Sequence, residues 1–131
     1  MGNVNKYKID YDWKAELIVE IDSDKIDDNG FAEINNFWSD ADYRKRNHGC
    51  DKNAVLTMLA KVCIPMAYEQ GLSIDGLIRT FDWDKGYGVE GWPPMNGSHG
   101  IKIVGIDTYG LFDSDDITIS TVTDFTKTVN N

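Results

Sequence analysis

Tyr7-Lys-Ile-Asp-Tyr-Asp-Trp-Lys-Ala-Glu-Leu-Ile-Val-Glu-Ile21 is the stretch on which the fold turns. Tyr7, Ile9, Tyr11, Trp13, Ala15, Leu17, Val19 and Ile21 hold the odd positions, and the even ones are charged except for Ile18. Period-two alternation puts one face on a core and the other in water, the pattern of an antiparallel strand. A single strand of this length, at about 3.3 Å per residue, would run ~50 Å, too far for a small domain. A tight turn near Asp10 to Lys14 is therefore expected, making a hairpin. Trp13, on the apolar parity, is expected in the core with Trp38.

Downstream, residues 22–30 form a polar loop ending in cap-forming residues. Phe31, Ile34, Phe37, Trp38 and Ala41 then recur at helical spacing, with Asp27, Asp28 and Glu33 near the positive end of the dipole. This helix is expected to fray through Arg44-Lys45-Arg46 and stop at Gly49. A second helix should start near Asp51, capped by that carboxylate, and carry the stripe Val55, Leu56, Met58, Leu59, Val62, Cys63 and Met66. Pro65 should kink it and Gly71 end it. Ser73 can cap a short third helix bearing Ile74, Leu77, Ile78 and Phe81.

Residues 82–100, with five glycines and two prolines, read as a long loop. Two β-branched strands are expected over 101–106 and 117–123, joined by an acidic connection, with a frayed tail over 124–131. Segregated helices and strands give an α+β fold: an antiparallel sheet of three or four strands, built from the N-terminal hairpin and C-terminal strands, with two or three helices on one face. The 131 residues make a single domain without internal repeats.

Twenty-two acids against thirteen Lys and Arg give a net charge of −9. That excess argues against a duplex-DNA or anionic-membrane binder, both of which need a basic footprint. The start of the chain lacks a basic stretch followed by an apolar run, and no apolar run approaches a membrane span. The protein is expected to be cytoplasmic, with Cys50 and Cys63 reduced.

Chemical motifs fare poorly. Gly86-Tyr-Gly-Val-Glu-Gly91 fits G-x-G-x-x-G, but Trp83-Asp-Lys precedes it and Trp92-Pro-Pro follows, so it cannot open a helix over a phosphate. A calcium loop begun at Asp22 places Ile26 fifth and Asp27 where glycine belongs. His48, Cys50, Cys63 and His99 lack the paired spacing of zinc ligands. No nucleophile motif surrounds Cys50. No catalytic residue, metal or cofactor is expected.

Aromatic and acidic residues stand out instead. Trp83, Tyr87 and Trp92 lie in the Gly/Pro loop beside Asp82, Asp84 and Glu90, and Asp113, Asp115 and Asp116 crowd the last connection. Residues 66–131 carry −6 and residues 1–65 carry −3. Rings in such a loop serve either as a lid over an open sheet end or as interface anchors. An acidic face can occupy a basic groove by imitating a phosphate array.

The runs Tyr11-Asp-Trp-Lys-Ala-Glu16, Ile34-Asn-Asn-Phe-Trp-Ser39, Ala54-Val-Leu-Thr-Met-Leu-Ala60 and Glu90-Gly-Trp-Pro-Pro-Met-Asn-Gly-Ser98 together resemble a small bacterial family of uncharacterised proteins, catalogued as a domain of unknown function and carried on plasmids and prophages. The likeness runs from Tyr7 to Val122, with Trp92-Pro-Pro-Met95 its most distinctive part. It implies a bacterial cytosol and a mobile-element accessory role, directed at a host or rival defence component.

The expectation is thus a non-catalytic acidic interaction module that binds another protein, a basic nucleic-acid-handling one, and neither nucleic acid directly nor a membrane. Its contact residues would be Trp83, Tyr87, Trp92, Asp82, Asp84, Glu90, Asp113, Asp115 and Asp116. The alternatives are a small-molecule or carbohydrate binder using the tryptophan loop as a pocket wall, and an enzyme with dispersed catalytic groups.

Overall fold

The computed structural model describes residues 3–112, 115 and 117–121. Strand β1 (Val4–Tyr11) and strand β2 (Ala15–Asp22) form the expected hairpin. Its turn carries positive φ at Asp12 and Trp13, 51° and 60°, and closes with the Lys14 amide donating to the Tyr11 carbonyl at 2.8 Å. Successive positive φ angles give a turn whose twist matches that of the flanking strands. Tyr11 faces Ala15, so the three turn residues keep the odd positions of both strands on one face. They also eject Trp13, which is 90% exposed rather than in the core.

Strand β2 is central in the order β1-β2-β3, with β3 spanning Ile101–Asp107, and both pairings are antiparallel. Ala15, Leu17, Val19 and Ile21 are all buried, and Ile101 and Ile103 meet them from β3. A bulge at Ile18/Val19 shifts the second register, so Ile18 faces Gly105 while Val19 faces Ile103. The other expected C-terminal strand is not present in residues 117–121; residues 122 and 123 lie outside the described residues, as does the expected tail over 124–131. Among the described residues the sheet has three strands.

Among the described residues four helices accompany the sheet. They are α1 (Asp28–Asn35), α2 (Ala41–His48), α3 (Asp51–Gln70) and α4 (Ile74–Thr80). The helix expected across 31–46 is broken, and the reason lies in Asn35 and Arg44. Asn35 is 1% exposed; its amide donates to the Ala41 carbonyl and to Asp51 Oδ1, each at 3.0 Å, and its Oδ1 accepts from Arg44 Nε at 2.8 Å. The Arg44 guanidinium also donates to the carbonyls of Asn35, Trp38 and Ser39. It supplies the donors that the end of α1 and the chain beyond it lack, so the helix stops and the chain turns. Asp51 is occupied here, with Lys45 at 3.5 Å, and the cap of α3 is therefore Cys50, whose Sγ accepts from the Asn53 amide.

Gly49 and Gly71 end α2 and α3 in the left-handed conformation, as the spacing predicts, and Ser73 caps α4. Helix α3 runs unbroken through Pro65 and lays Val55, Leu59, Cys63 and Ile64 into the core with Leu77, Phe81 and Met95.

Burial pushes the Cys63 thiol up from 9.0 to about 12. A raised pKa means the neutral thiol favours the fold: its contribution is complete below pH 9 and is lost as pH rises toward 12. We expect unfolding free energy to fall across that window by at most about 1.4 kcal/mol per pH unit from this group. Cys63→Ala should flatten that slope in urea titrations at successive pH values. An unchanged slope would refute the assignment.

Candidate interaction surface

The loop over 82–100 is an organised lid, and that corrects part of the contact set read from sequence. Trp92 is only 5% exposed; its ring centroid lies 5.2 Å from that of Trp38 and 6.4 Å from that of Phe81. Gly91 makes the approach possible, because a Cβ there would lie 2.5 Å from Trp38 Cζ2 at a φ of +88°. Asp82 is buried as well, its carboxylate accepting from the Asp84 amide at the start of a 3-10 turn over Trp83–Lys85. Neither side chain is free to meet a partner.

Trp83 and Tyr87 remain about half exposed, and Asp84 and Glu90 face solvent. Trp83 is tied down through Nε1, which donates to the Trp92 carbonyl at 2.8 Å. Asp115 is exposed, whereas Asp113 and Asp116 lie outside the described residues. The loop thus joins Trp83 to the Trp92 backbone but hides the second indole beneath.

A different set of rings and carboxylates gathers at the turn end of the hairpin. On the outer face of the sheet, Asp10 of β1 pairs with Glu16 of β2, and Glu16 pairs with Asp107 of β3. Directly opposed side chains in a sheet have Cβ atoms about 5 Å apart, and like charges there are destabilising. Elsewhere on this face the signs alternate, since Glu20 stands between Lys6 and Lys102. The acidic row is the exception, three carboxylates set side by side across the strands.

Exposed rings flank the row. Trp13 is 90% exposed and Tyr109 95%. The carboxylates also position the rings: Asp10 Oδ1 accepts from the Trp13 amide at 3.3 Å, and Asp107 Oδ1 from the Tyr109 amide at 3.0 Å. Tyr109 sits in a short 3-10 turn, Tyr109–Leu111, held against the hairpin turn at Gly110, where a Cβ would meet the Lys14 carbonyl oxygen at 2.6 Å. Between the two rings lies an open cavity of about 290 Å³, bordered by the acidic row together with Lys8 and Lys14. Three acids and two lysines thus line the cavity.

Among the described residues, no three His, Cys, Asp or Glu side chains are placed to share a metal ion. Among the same residues, no helix is long and apolar enough to cross a membrane. The arrangement can attract a cation electrostatically and stack planar or cationic groups on its rings. Reading the sequence missed Asp10, Glu16, Asp107 and Tyr109. The alternation already placed Asp10 and Glu16 on the outer face, but only the register of β3 brings Asp107 beside them.

Comparison with known proteins fits this molecule into a lineage. A family model described as "Protein of unknown function (DUF2528)" matches residues 16–119. The chain is 53% identical over 119 residues to "Protein ea10" of Escherichia phage lambda, covering 91% of this chain and 98% of the relative. The same figures hold for "Lambda prophage-derived protein ea10" of Escherichia coli O6:H1, strain CFT073. No solved structure matches the chain. With the match spanning the hairpin's second strand, all four helices, the lid and β3, the chain belongs to the DUF2528 family of proteins of unknown function.

Proposed function

We propose that this protein is a non-catalytic interaction module of a mobile element, and that its hairpin end grips a basic segment of another protein. One observation carries the reading: the Asp10–Glu16–Asp107 row, whose like charges stand directly opposed across the strands, lies between the outward rings of Trp13 and Tyr109. Carboxylates in a row offer successive acceptors to guanidinium groups, and indole or phenol faces bind the same groups by cation–π contact. Nucleic-acid-handling proteins, including those of host defence complexes, present basic grooves of that kind. The prophage and phage names of the relatives support a mobile-element role for this chain. A ligand pocket walled by the loop tryptophans draws no support from a Trp92 packed in the core.

The test uses an octa-arginine peptide and an octa-glutamate control, followed by amide chemical shifts. The arginine peptide is expected to bind saturably, with shifts concentrated at Trp13, Glu16 and Tyr109, and to weaken as salt rises. Shifts scattered over the surface, or none, would overturn the reading.

A further inference from the structure

The sheet leaves its two edges in different states. The outer side of β3 is covered by the lid: the Ile103 amide donates to the Met95 carbonyl at 3.1 Å, the Gly97 amide donates to the Ile101 carbonyl at 3.0 Å, and Asn96 bridges Lys102. The outer side of β1 has no ladder partner among the described residues, over eight residues. Beside that edge a largely apolar groove of about 520 Å³ opens between β1 and α3, lined by Ile9, Tyr11, Ala60, Ile64, Pro65 and Leu111. An open edge over an apolar groove has room for one more strand, which would satisfy the free backbone groups and fill the groove with alternate side chains.

The chain carries a segment of that description. Ile117-Thr-Ile-Ser-Thr121 places apolar side chains two residues apart, and in the structure Ile117 is 64% and Ile119 98% exposed. Isoleucines of that exposure in a β-branched stretch are costly to leave in water. The path is short as well. β3 ends at the hairpin turn, the 3-10 turn over Tyr109–Leu111 crosses there, and Leu111 already lines the groove. The six residues from Leu111 to Ile117 reach up to about 20 Å, whereas an added strand lies only ~4.8 Å from its neighbour. A chain leaving the turn end and running along β1 travels against it, so the pairing is antiparallel.

We propose that Ile117–Thr121 docks along the free edge of β1 within the same molecule, with Ile117 and Ile119 in the β1–α3 groove. The structure shows the groove open and the segment undocked; the docked form is the second state of the same contact. This inference does not rest on the basic partner: its surface is the apolar groove and the free edge of β1, which meets the acidic end only at Asp10.

Amide hydrogen exchange on the full chain tests it. In an antiparallel pair every second β1 amide points away from β2, and a docked segment accepts from those amides. We expect them to exchange about tenfold or more slowly than unprotected amides, independently of protein concentration. Ile117→Asp with Ile119→Asp should abolish that protection and leave the β2 and β3 amides protected. Thr118→Asp with Ser120→Asp, on the opposite side of the segment, should preserve it. Unprotected outward β1 amides in the parent chain would overturn the proposal. So would protection that rises with concentration alongside a dimer in sedimentation, which would make the occupant a second copy.

Discussion

Replacing Arg44 with alanine is expected to destabilise the protein by about 3 kcal/mol and lower the melting temperature by ~10 °C. The guanidinium donates to Asn35 Oδ1 and to three backbone carbonyls in the α1–α2 connection. Its loss strips the donor from a buried acceptor, because Asn35 is sealed in place by α1, Ala41 and Asp51. An orphaned buried acceptor costs about 1–3 kcal/mol, and the loss of donors at the end of α1 adds to it. Lysine should rescue little, since a point charge cannot fork across four acceptors. Asn35→Asp tests the other side of the network. It keeps an acceptor for Arg44 but sets a carboxylate against Asp51 where an amide donor stood, so it should also destabilise. Because the two residues share their bonds, Arg44→Ala and Asn35→Ala together should cost clearly less than their sum. Urea unfolding measures all of these. A loss under about 1 kcal/mol for Arg44→Ala, the range of a surface salt bridge, would mean that the connection is held by apolar packing alone.

The same network shows where sequence reasoning stops. The alternation along Tyr7 to Ile21 specifies a hairpin with β2 half in the core, because burial of alternate side chains is a local, repeating signal. Gly49, Gly71 and Ser73 announce helix ends through their own backbone or hydroxyl chemistry, and they stand where expected. The break after Asn35 carries no such mark. It depends on a guanidinium nine residues later reaching back to carbonyls, and carbonyls are the same in every residue. Trp13 and Trp92 exchanged their expected places for similar reasons. Trp13 keeps the apolar parity but falls in a turn, and Trp92 follows glycine into contact with Trp38 and Phe81 from two other elements. The acidic row needed a register that sets Glu16 beside Asp107, far apart in the chain. Acids were visible in the sequence; their alignment was not.

That alignment leads to a result with opposite signs in two assays. Glu16→Gln should stabilise the protein, because Glu16 faces a carboxylate on each side and each pair repels by ~0.8 kcal/mol at about 5 Å in bulk water. Partial screening leaves an expected gain of about 0.5 kcal/mol. The gain should shrink as salt rises, because added salt already relieves the parent chain. The same substitution should weaken binding of the arginine peptide by about 1 kcal/mol, roughly fivefold. Trp13→Ala should leave stability within ~0.5 kcal/mol of the parent, since so exposed an indole has little packing to lose. It should nevertheless cost binding about 2 kcal/mol, roughly thirtyfold, as interface tryptophans do. A row serving the fold alone would lose stability on neutralisation, and a ring exposed by accident would leave peptide affinity untouched. If Glu16→Gln destabilises, or Trp13→Ala binds as the parent does, the hairpin end is not the docking surface. A more stable, weaker-binding Glu16 variant beside an equally stable, weaker-binding Trp13 variant is the pattern that only a binding role produces, because it separates what the surface does for its partner from what it does for the fold.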